Sequence, residues 1–479
     1  MSTCTVLIKD EVNVHLKGLD ADTREDIVEA MSFFVPKYMF NPKYKLGRWD
    51  GRISLAKPSG YTFLNLASLW EPIVQRAGYT IKVQDNRCDW PELDLILPDE
   101  NFFSDYEIKG KQIVLRDYQL DAIHTAVLNG SGLLELATGS GKSILCAALA
   151  KIYGEYGRVL IIVPSIDLVL QTAATFRSVG VDAGIWYGEM KEHKNVIVST
   201  WQSLELTPEL FHEVICVIVD ETHLAAGKTI SNLLSGPGAN VPYRFGCTGT
   251  LPQDELYRKQ INAVLGEKIF ELSSWELQQQ GVLADSNINI LKLLDKRNPR
   301  YKKVMGEHED WLEEVSWMAQ DEARMTMVGD LIKQIATTGN TLVLTQYEVM
   351  GKALGAQLGT EYFYGKTRTK KRQARFKEID GMDNQVLVAS MGIASTGIDI
   401  PRLYNIVFIA VGKSATRVPQ AIGRGLRKSD AQAELDAKDA ITIWDISGEA
   451  EFEAKQLKER ITIYNRTRHD HELIEIDYI

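Results

Sequence analysis

Residues 133–143, LLELATGSGKS, carry the groups that can hold a phosphate. An apolar run enters a glycine-rich turn and leaves it through a lysine and a serine, which reads as strand, turn and helix start. Glycines let backbone N–H groups converge on an anion, the helix N-terminus adds a favourable dipole, and Lys142 adds a point charge. On this reading Thr138, Gly139, Ser140 and Gly141 form the cradle, and Ser143 places its hydroxyl on Mg²⁺. Leu136 stands where the strict P-loop string has its first glycine, so a glycine turn before a core helix stays open as the plainer reading. Residues 215–223, ICVIVDETH, supply the other half of such a site. Asp220 can hold Mg²⁺, directly or through water, and Glu221 can orient and deprotonate an attacking water. Acids at a strand end often only cap the next helix, but these follow Lys142 within one α/β block.

Two positive clusters matter more than the net charge of −10, because phosphate contacts depend on the local field. Between Lys37 and Lys57, six Lys/Arg face one acid, Asp50, with Tyr38, Phe40, Tyr44 and Trp49 interleaved. Cations can meet phosphates there while rings stack on bases, with Arg48, Trp49 and Arg52 as the candidate contacts. Equally, the aromatics could form the core of a small domain and the charges a solvated face. The second cluster, Lys366 to Arg375, suits either a nucleic-acid path or a solvated helix.

The elements that must position these groups follow from hydrophobic patterning. Residues 1–108 read as a small α+β module, with a hairpin over 5–16 and a helix over 23–34. Residues 109–270 alternate strands (132–136, 159–163, 196–199, 215–220, 244–248) with helices such as 144–156 and 167–179. Short, nearly continuous apolar strands with helical crossovers predict a parallel sheet covered on both faces. A second block of the same character, 326–448, has strands at 341–345, 361–363, 385–389, 405–409 and 441–444. The charged, tryptophan-bearing stretch 271–325 reads as a helical connector, and 449–479 as a C-terminal helix and tail. At 479 residues, a chain of about three domains is expected. Five scattered cysteines without C-x-x-C or a histidine cluster argue against zinc and against a disulfide framework. No apolar run is long enough to span a membrane, and the N-terminus carries charges where a signal peptide is apolar, so a cytoplasmic protein is expected.

In this order the segments resemble the motifs of the superfamily 2 helicases. Asp220-Glu221-Thr222-His223 resembles their D-E-x-H box, and Arg116-Asp117-Tyr118-Gln119 the segment whose glutamine reads adenine. Residues 137–143 resemble motif I, Val163-Pro164-Ser165 motif Ia, and 199–204 (STWQSL) motif Ib. Thr248-Gly249-Thr250 resembles motif III, Leu344-Thr345-Gln346 motif IV, and 394–401 (ASTGIDIP) motif V. Gln420-x-x-Gly423-Arg424-x-x-Arg427 matches motif VI throughout. The resemblance implies two RecA-like parallel-sheet domains in tandem, an ATP- and Mg²⁺-dependent motor, and catalytic roles for Lys142, Asp220, Glu221, Gln420, Arg424 and Arg427. The two arginines, three apart on one helical face, would neutralise charge on the transferred phosphoryl group. Arg116, Gln119, Gly397 and Asp399 join the nucleotide contacts. Ser165, Thr200, Gln202, Thr345 and Thr396 are implied on the nucleic-acid backbone, and His223, Thr248 and Thr250 in coupling. Gly249 and Thr222 depart from the usual alanine or cysteine, and Thr222 with His223 moves the chain away from the DEAD-box RNA helicases.

Residues 40–55, FNPKYKLGRWDGRISL, further resemble the N-terminal region of the UvsW-type helicases of T4-like bacteriophages. That resemblance implies a monomeric phage DNA helicase, in the host cytoplasm, acting on forks, Holliday junctions and R-loops in replication, recombination and repair, with residues 1–108 as the domain that helps choose the DNA substrate. Three alternatives remain: an RNA helicase, a remodeller that translocates without unwinding, and the motor of a restriction-type nuclease. The last is suggested by Pro98-Asp99 and Glu107-Ile108-Lys109, which fit a loose nuclease string.

Overall fold

The computed structural model describes every residue except Met1, Pro91, Lys109, Ala226, 298–309, 397–401, 414–417, 419–420, 423–439 and Ile479. Contacts divide the chain into two units, Met1–Leu136 with Gly141–Leu272, and Ser273–Ile479, to which Ala137–Ser140 is assigned.

The first unit begins with a small sheet of β1 (Thr3–Ile8), β2 (Asn13–Lys17), β5 (Tyr61–Phe63) and β6 (Thr80–Asp85), in the order β5-β2-β1-β6. Val6, Val14 and Leu16 alternate inward with Cys4 and pack against Trp70 and Ile27 of the helices Ala67–Arg76 and Ala21–Ala30. Asp20 caps the latter, its carboxylate accepting the Thr23 N–H at 2.8 Å. The expected helix over 23–34 stops early. Residues Ser32–Phe34 form β3, antiparallel to β4 (Arg52–Ser54), because cross-strand pairing satisfies aromatic residues better than another helical turn would.

The module is fastened to the rest of the unit. Glu11 N–H donates to Ala239 O at 3.0 Å, Asn13 Nδ2 to Ser235 O at 2.9 Å and Trp90 Nε1 to Asn240 O at 3.1 Å. Beneath this 235–241 loop, the buried Arg244 guanidinium donates to the carbonyls of Leu234, Gly238, Val241 and Val264. After a short hairpin, β7 (Glu107–Ile108) and β8 (Lys111–Gln112), comes an eight-stranded sheet. Its strands are β9 (Ser131–Leu136), β10 (Arg158–Val163), β11 (Ala183–Tyr187), β12 (Met190–Lys191), β13 (Val196–Thr200), β14 (Val214–Asp220), β15 (Tyr243–Thr248) and β16 (Lys268–Leu272). The order is β12-β11-β13-β10-β14-β15-β9-β16, parallel except at β12. Strands such as β10 and β14 are buried almost end to end, as helices on both faces require.

The second unit holds β17 (Asp285–Asp295), β18 (Thr341–Thr345), β19 (Tyr362–Phe363), β20 (Val386–Ser390), β21 (Asn405–Ile409), β22 (Ala440–Gly448) and β23 (His471–Tyr478). They form one parallel sheet in the order β19-β20-β18-β21-β22-β17-β23. One expectation is corrected here. The stretch 271–325 is not a helical connector, since β17 is an 11-residue strand paired on both sides. The C-terminal helix expected within 449–479 is Glu451–Arg466, anchored by buried charges, and the segment after it forms β23, the outer partner of β17. Glu314 accepts the N–H groups of Phe452 and Glu453 at 2.9 and 2.7 Å, and Arg460 pairs with Asp445 at 2.7 Å.

Candidate nucleotide site and nucleic-acid surface

Strand β9 delivers the chain to a turn with Gly139 at φ +90° and Gly141 at φ +80°, from which the helix Lys142–Gly154 starts. Glycine suits 141 because φ +80° strains any L side chain, and a Cβ there would also displace the Gln119 amide. Gln119 is buried against the turn, its Oε1 accepting the Arg116 N–H at 3.0 Å, while Arg116 Nη1 donates to Tyr118 OH. Lys142 Nζ lies 3.5 Å from Asp220 Oδ1 and 3.8 Å from Glu221 Oε1. Burial works against the Lys142 charge, but Glu221 and Asp220 outweigh it and hold the ammonium protonated beyond its ordinary range. Burial pushes the Asp220 carboxyl up, against the pull of Lys142. Two carboxylates sharing one lysine make an under-neutralised cluster. With the exposed Ser143 hydroxyl at the helix start, the donor set is hard oxygen, which suits Mg²⁺.

The end of β14 continues this geometry. Glu221 sits in the left-handed region at φ +51°. His223 Nδ1 lies 3.3 Å from Glu221 Oε2 and 3.2 Å from Thr248 Oγ1, and Thr248 Oγ1 donates to Thr250 O at 3.1 Å. The structure therefore brings Lys142, Asp220, Glu221, His223, Thr248 and Thr250 together at the carboxyl ends of adjacent parallel strands, where open α/β sheets bind ligands.

Ser165 and Thr200 stand at the same edge. Val163 and Thr200 are register partners in β10 and β13. Ser165 caps the helix Ile166–Ser178, Thr200 caps Trp201–Glu205, and Gln202 is exposed beside it. Thr345 is a correction. It is fully buried at the end of β18, its hydroxyl without a hydrogen-bond partner, so it presents no surface to DNA, whereas the next residue, Gln346, is exposed. Gly397, Asp399, Gln420, Arg424 and Arg427 lie outside the described residues, as does the side chain of Thr396.

In the N-terminal module, Trp49 is half-buried and spends its indole N–H on Arg52 O at 2.7 Å, while Arg48 is exposed. Arg52 lies over the Phe34 ring at 4.5 Å. Asp99 accepts the Asn101 N–H in a turn, and Glu107 lies in β7. Among the described residues, no group of three or more His, Cys, Asp or Glu is placed to hold a metal. No described helix is long and apolar enough to cross a membrane.

Comparison with known proteins follows the same divisions. Residues 5–84 match the family described as DNA helicase UvsW, N-terminal. Residues 112–253 match Type III restriction enzyme, res subunit, and 323–429 match the helicase conserved C-terminal domain. The chain is 30% identical to the ATP-dependent DNA helicase uvsW of Enterobacteria phage T4, over 91% of its own length and 89% of that protein. The chain belongs to the UvsW family of DNA helicases. It is also 26% identical to a DNA 3'-5' helicase XPB of Mycobacterium tuberculosis, over 65% of this chain and 58% of that one. At the level of fold, it resembles the Type ISP restriction-modification enzyme LlaBIII bound to DNA, with a TM-score of 0.56 and 16% identity, covering 85% of this chain and 34% of that one.

Within this UvsW-family site, sequence reasoning missed two residues. Thr222, noted only as a departure, is buried and donates to Val219 O at 2.8 Å and Cys247 O at 2.9 Å, pinning the carboxylate turn to β15. Gly246 makes room for it, since a Cβ there would meet Thr222 Oγ1 at 2.8 Å. Glu135 of β9 accepts the Leu251 N–H at 2.9 Å and fixes the chain after Thr250. A polar residue inside an apolar strand was the available signal for Glu135.

Proposed function

We propose that this UvsW-family protein is a motor that uses the hydrolysis of Mg²⁺-bound ATP to move on and remodel branched DNA, with forks, Holliday junctions and R-loops as its substrates. The observation that carries the reading is the contact chain Lys142–Glu221–His223–Thr248, set beside Ser165 and Thr200 on one sheet edge. Lys142 and the turn's N–H groups hold the phosphates. Ser143 and Asp220 would hold Mg²⁺, which would supply charge neutralisation at the phosphates when bound. Glu221 orients the attacking water and takes its proton. His223 passes a change at Glu221 to Thr248 and Thr250. Arg424 and Arg427 neutralise transition-state charge, a contribution of about 10³–10⁵ in rate for such arginines, with Gln420 the third catalytic residue of that motif. Gln119 reads adenine, with Arg116 beside it, and Gly397 and Asp399 complete the nucleotide contacts. Ser165, Thr200, Gln202 and Thr396 meet the nucleic-acid backbone, positioning without reading sequence. The motor works as a monomer in the host cytoplasm.

The test is ATPase and strand-separation activity across forked DNA, Holliday junctions, R-loops, linear duplex and duplex RNA, with Lys142→Ala as control. Branched DNA stimulates turnover most, and Lys142→Ala lowers it to background. Equal stimulation by duplex RNA, or near-wild-type turnover in Lys142→Ala, overturns the reading.

A further inference from the structure

The second unit carries a cavity that the helicase motifs do not use. Its sheet is parallel throughout, and Gln346 follows the carboxyl end of β18. The cavity, of about 660 Å³, lies instead at the amino ends of β17 and β23. That volume falls within the roughly 300–1,000 Å³ of small-molecule sites. Its back wall is already satisfied. His469 is buried, its Nδ1 lies 2.9 Å from Ser286 Oγ, and that hydroxyl accepts Gln278 Nε2 at 3.3 Å. The mouth is not satisfied. Asp285, Asp470 and Arg468 are exposed around it, and none of the three forms an ion pair among the described residues. Arg468 is nevertheless held in place. Its backbone sits in the left-handed region at φ +55°, its N–H donates to Asn465 O at 3.2 Å, and its guanidinium lies 4.8 Å over the Trp275 ring. Backbone held against steric cost clusters at ligand sites.

The unspent groups select the ligand. A flat guanidinium carried on an indole is a platform for a further aromatic ring. A carboxylate without a partner takes two adjacent N–H donors on one edge of that ring. Among the nucleobases only guanine carries such an edge, at N1 and N2. Adenine and cytosine each set a ring-nitrogen acceptor beside their single amino group, and a carboxylate repels it. We propose that this cavity is a second nucleotide-base site, specific for guanine, with Arg468 on Trp275 as the stacking platform and the carboxylates of Asp285 and Asp470 accepting the N1–H and N2–H₂ donors. The same two carboxylates keep the charge of a triphosphate away, so the site does not compete for ATP. A free guanine nucleotide and an unpaired guanine in a strand present the same edge to it.

The experiment is isothermal titration calorimetry of the full chain, its ATP site filled beforehand with a non-hydrolysable ATP analogue. The probes are guanosine 5′-monophosphate (GMP), adenosine 5′-monophosphate (AMP), a plain oligothymidylate and one with a single central guanine. Guanine is expected to bind at one equivalent in at least one of its two forms, and AMP not to bind. The double variant Asp285→Asn, Asp470→Asn weakens guanine binding by roughly 5–150-fold, the worth of one bidentate base contact. Arg468→Ala weakens it as well, and both variants keep basal ATPase and wild-type melting, which excludes misfolding. Binding of GMP with no difference between the two oligothymidylates assigns the site to a free nucleotide. A gain from the central guanine assigns it to a strand. Equal binding of AMP and GMP, guanine affinity unchanged in the double variant, or no binding of guanine in either form overturns the proposal.

Discussion

Glu221 is held at φ +51°, ψ +48°, a conformation that costs an L-residue about 1–2 kcal/mol and glycine almost nothing. The cost belongs to the backbone and not to the carboxylate, so a pair of variants can isolate it. Glu221→Ala and Glu221→Gly both remove the contacts to Lys142 and His223, and both stop hydrolysis. They differ in that glycine relieves the left-handed strain but regains about 0.5–1 kcal/mol of unfolded-chain freedom. Glu221→Gly is therefore expected to be the more stable by about 0.5–1 kcal/mol, or about 1–4 °C in melting temperature for a unit of this size. Glu221→Gln keeps both the strain and the shape, and should bind ATP without turning it over. Calorimetric melting without nucleotide, paired with ATP titration, reads all three. A Glu221→Gly protein that melts at or below Glu221→Ala would falsify the claim that the catalytic turn stores strain.

Two further predictions concern the second unit. Arg460 and Asp445 are both buried, the guanidinium also reaching Ser447 Oγ and Gly412 O, so Arg460→Met leaves a carboxylate buried without its cation. It should destabilise by about 3–5 kcal/mol in urea unfolding, and Arg460→Met with Asp445→Leu should recover much of that. A loss under about 1 kcal/mol in the single variant rules this account out. Burial holds the His469 imidazole down at about 4, against the opposite pull of Asp470, and Ser286 Oγ lies 2.9 Å from its Nδ1. The folded state then binds fewer protons than the unfolded one, so this contribution is complete above about pH 6.5 and is lost as pH falls towards 4. The slope of stability against pH in that window should flatten in His469→Gln, and an unchanged slope would exclude His469 as its source.

Both α/β blocks were legible because strands buried on two faces must be apolar almost throughout, and helices between them are long enough to see. Strand β17 was not. Its alternation, Ile288, Ile290, Leu291 and Leu293, lies among charged residues, and its outer partner β23 comes from the far end of the chain. Pairing between such distant segments leaves no local pattern. Arg244 and Arg460 stayed hidden for another reason: most of their partners are backbone carbonyls, which every residue carries, and no residue type marks them in the string. The nucleotide-binding half of the site was legible because its chemistry lies in contiguous strings. Thr345 was misplaced because strings do not report which face of a strand end is covered. In the basic–aromatic stretch, sequence offered core or contact as alternatives, and the structure divides them. Trp49 serves the turn's own backbone, while Phe40 stands free of the core.

Sheet order explains why so short a contact chain can suffice for coupling. Strands β14, β15 and β9 are neighbours and end in Asp220, Thr248 and the phosphate turn, while β10 and β13, next along, lead into Ser165 and Thr200. One sheet edge thus carries the proposed phosphate contacts at one end and the proposed backbone contacts at the other. A buried, close-packed sheet transmits a displacement instead of absorbing it. Thr222 makes the first link stiff by tying the carboxylate turn to β15 from inside. Beyond Thr248 the chain stays tied, Thr248 Oγ1 donating to Thr250 O and Glu135 accepting the Leu251 N–H. The link therefore runs on through Thr250 to Leu251. In the proposed motor, that arrangement would let a change at Glu221 be felt at Thr248 through His223 without distorting the strands around it.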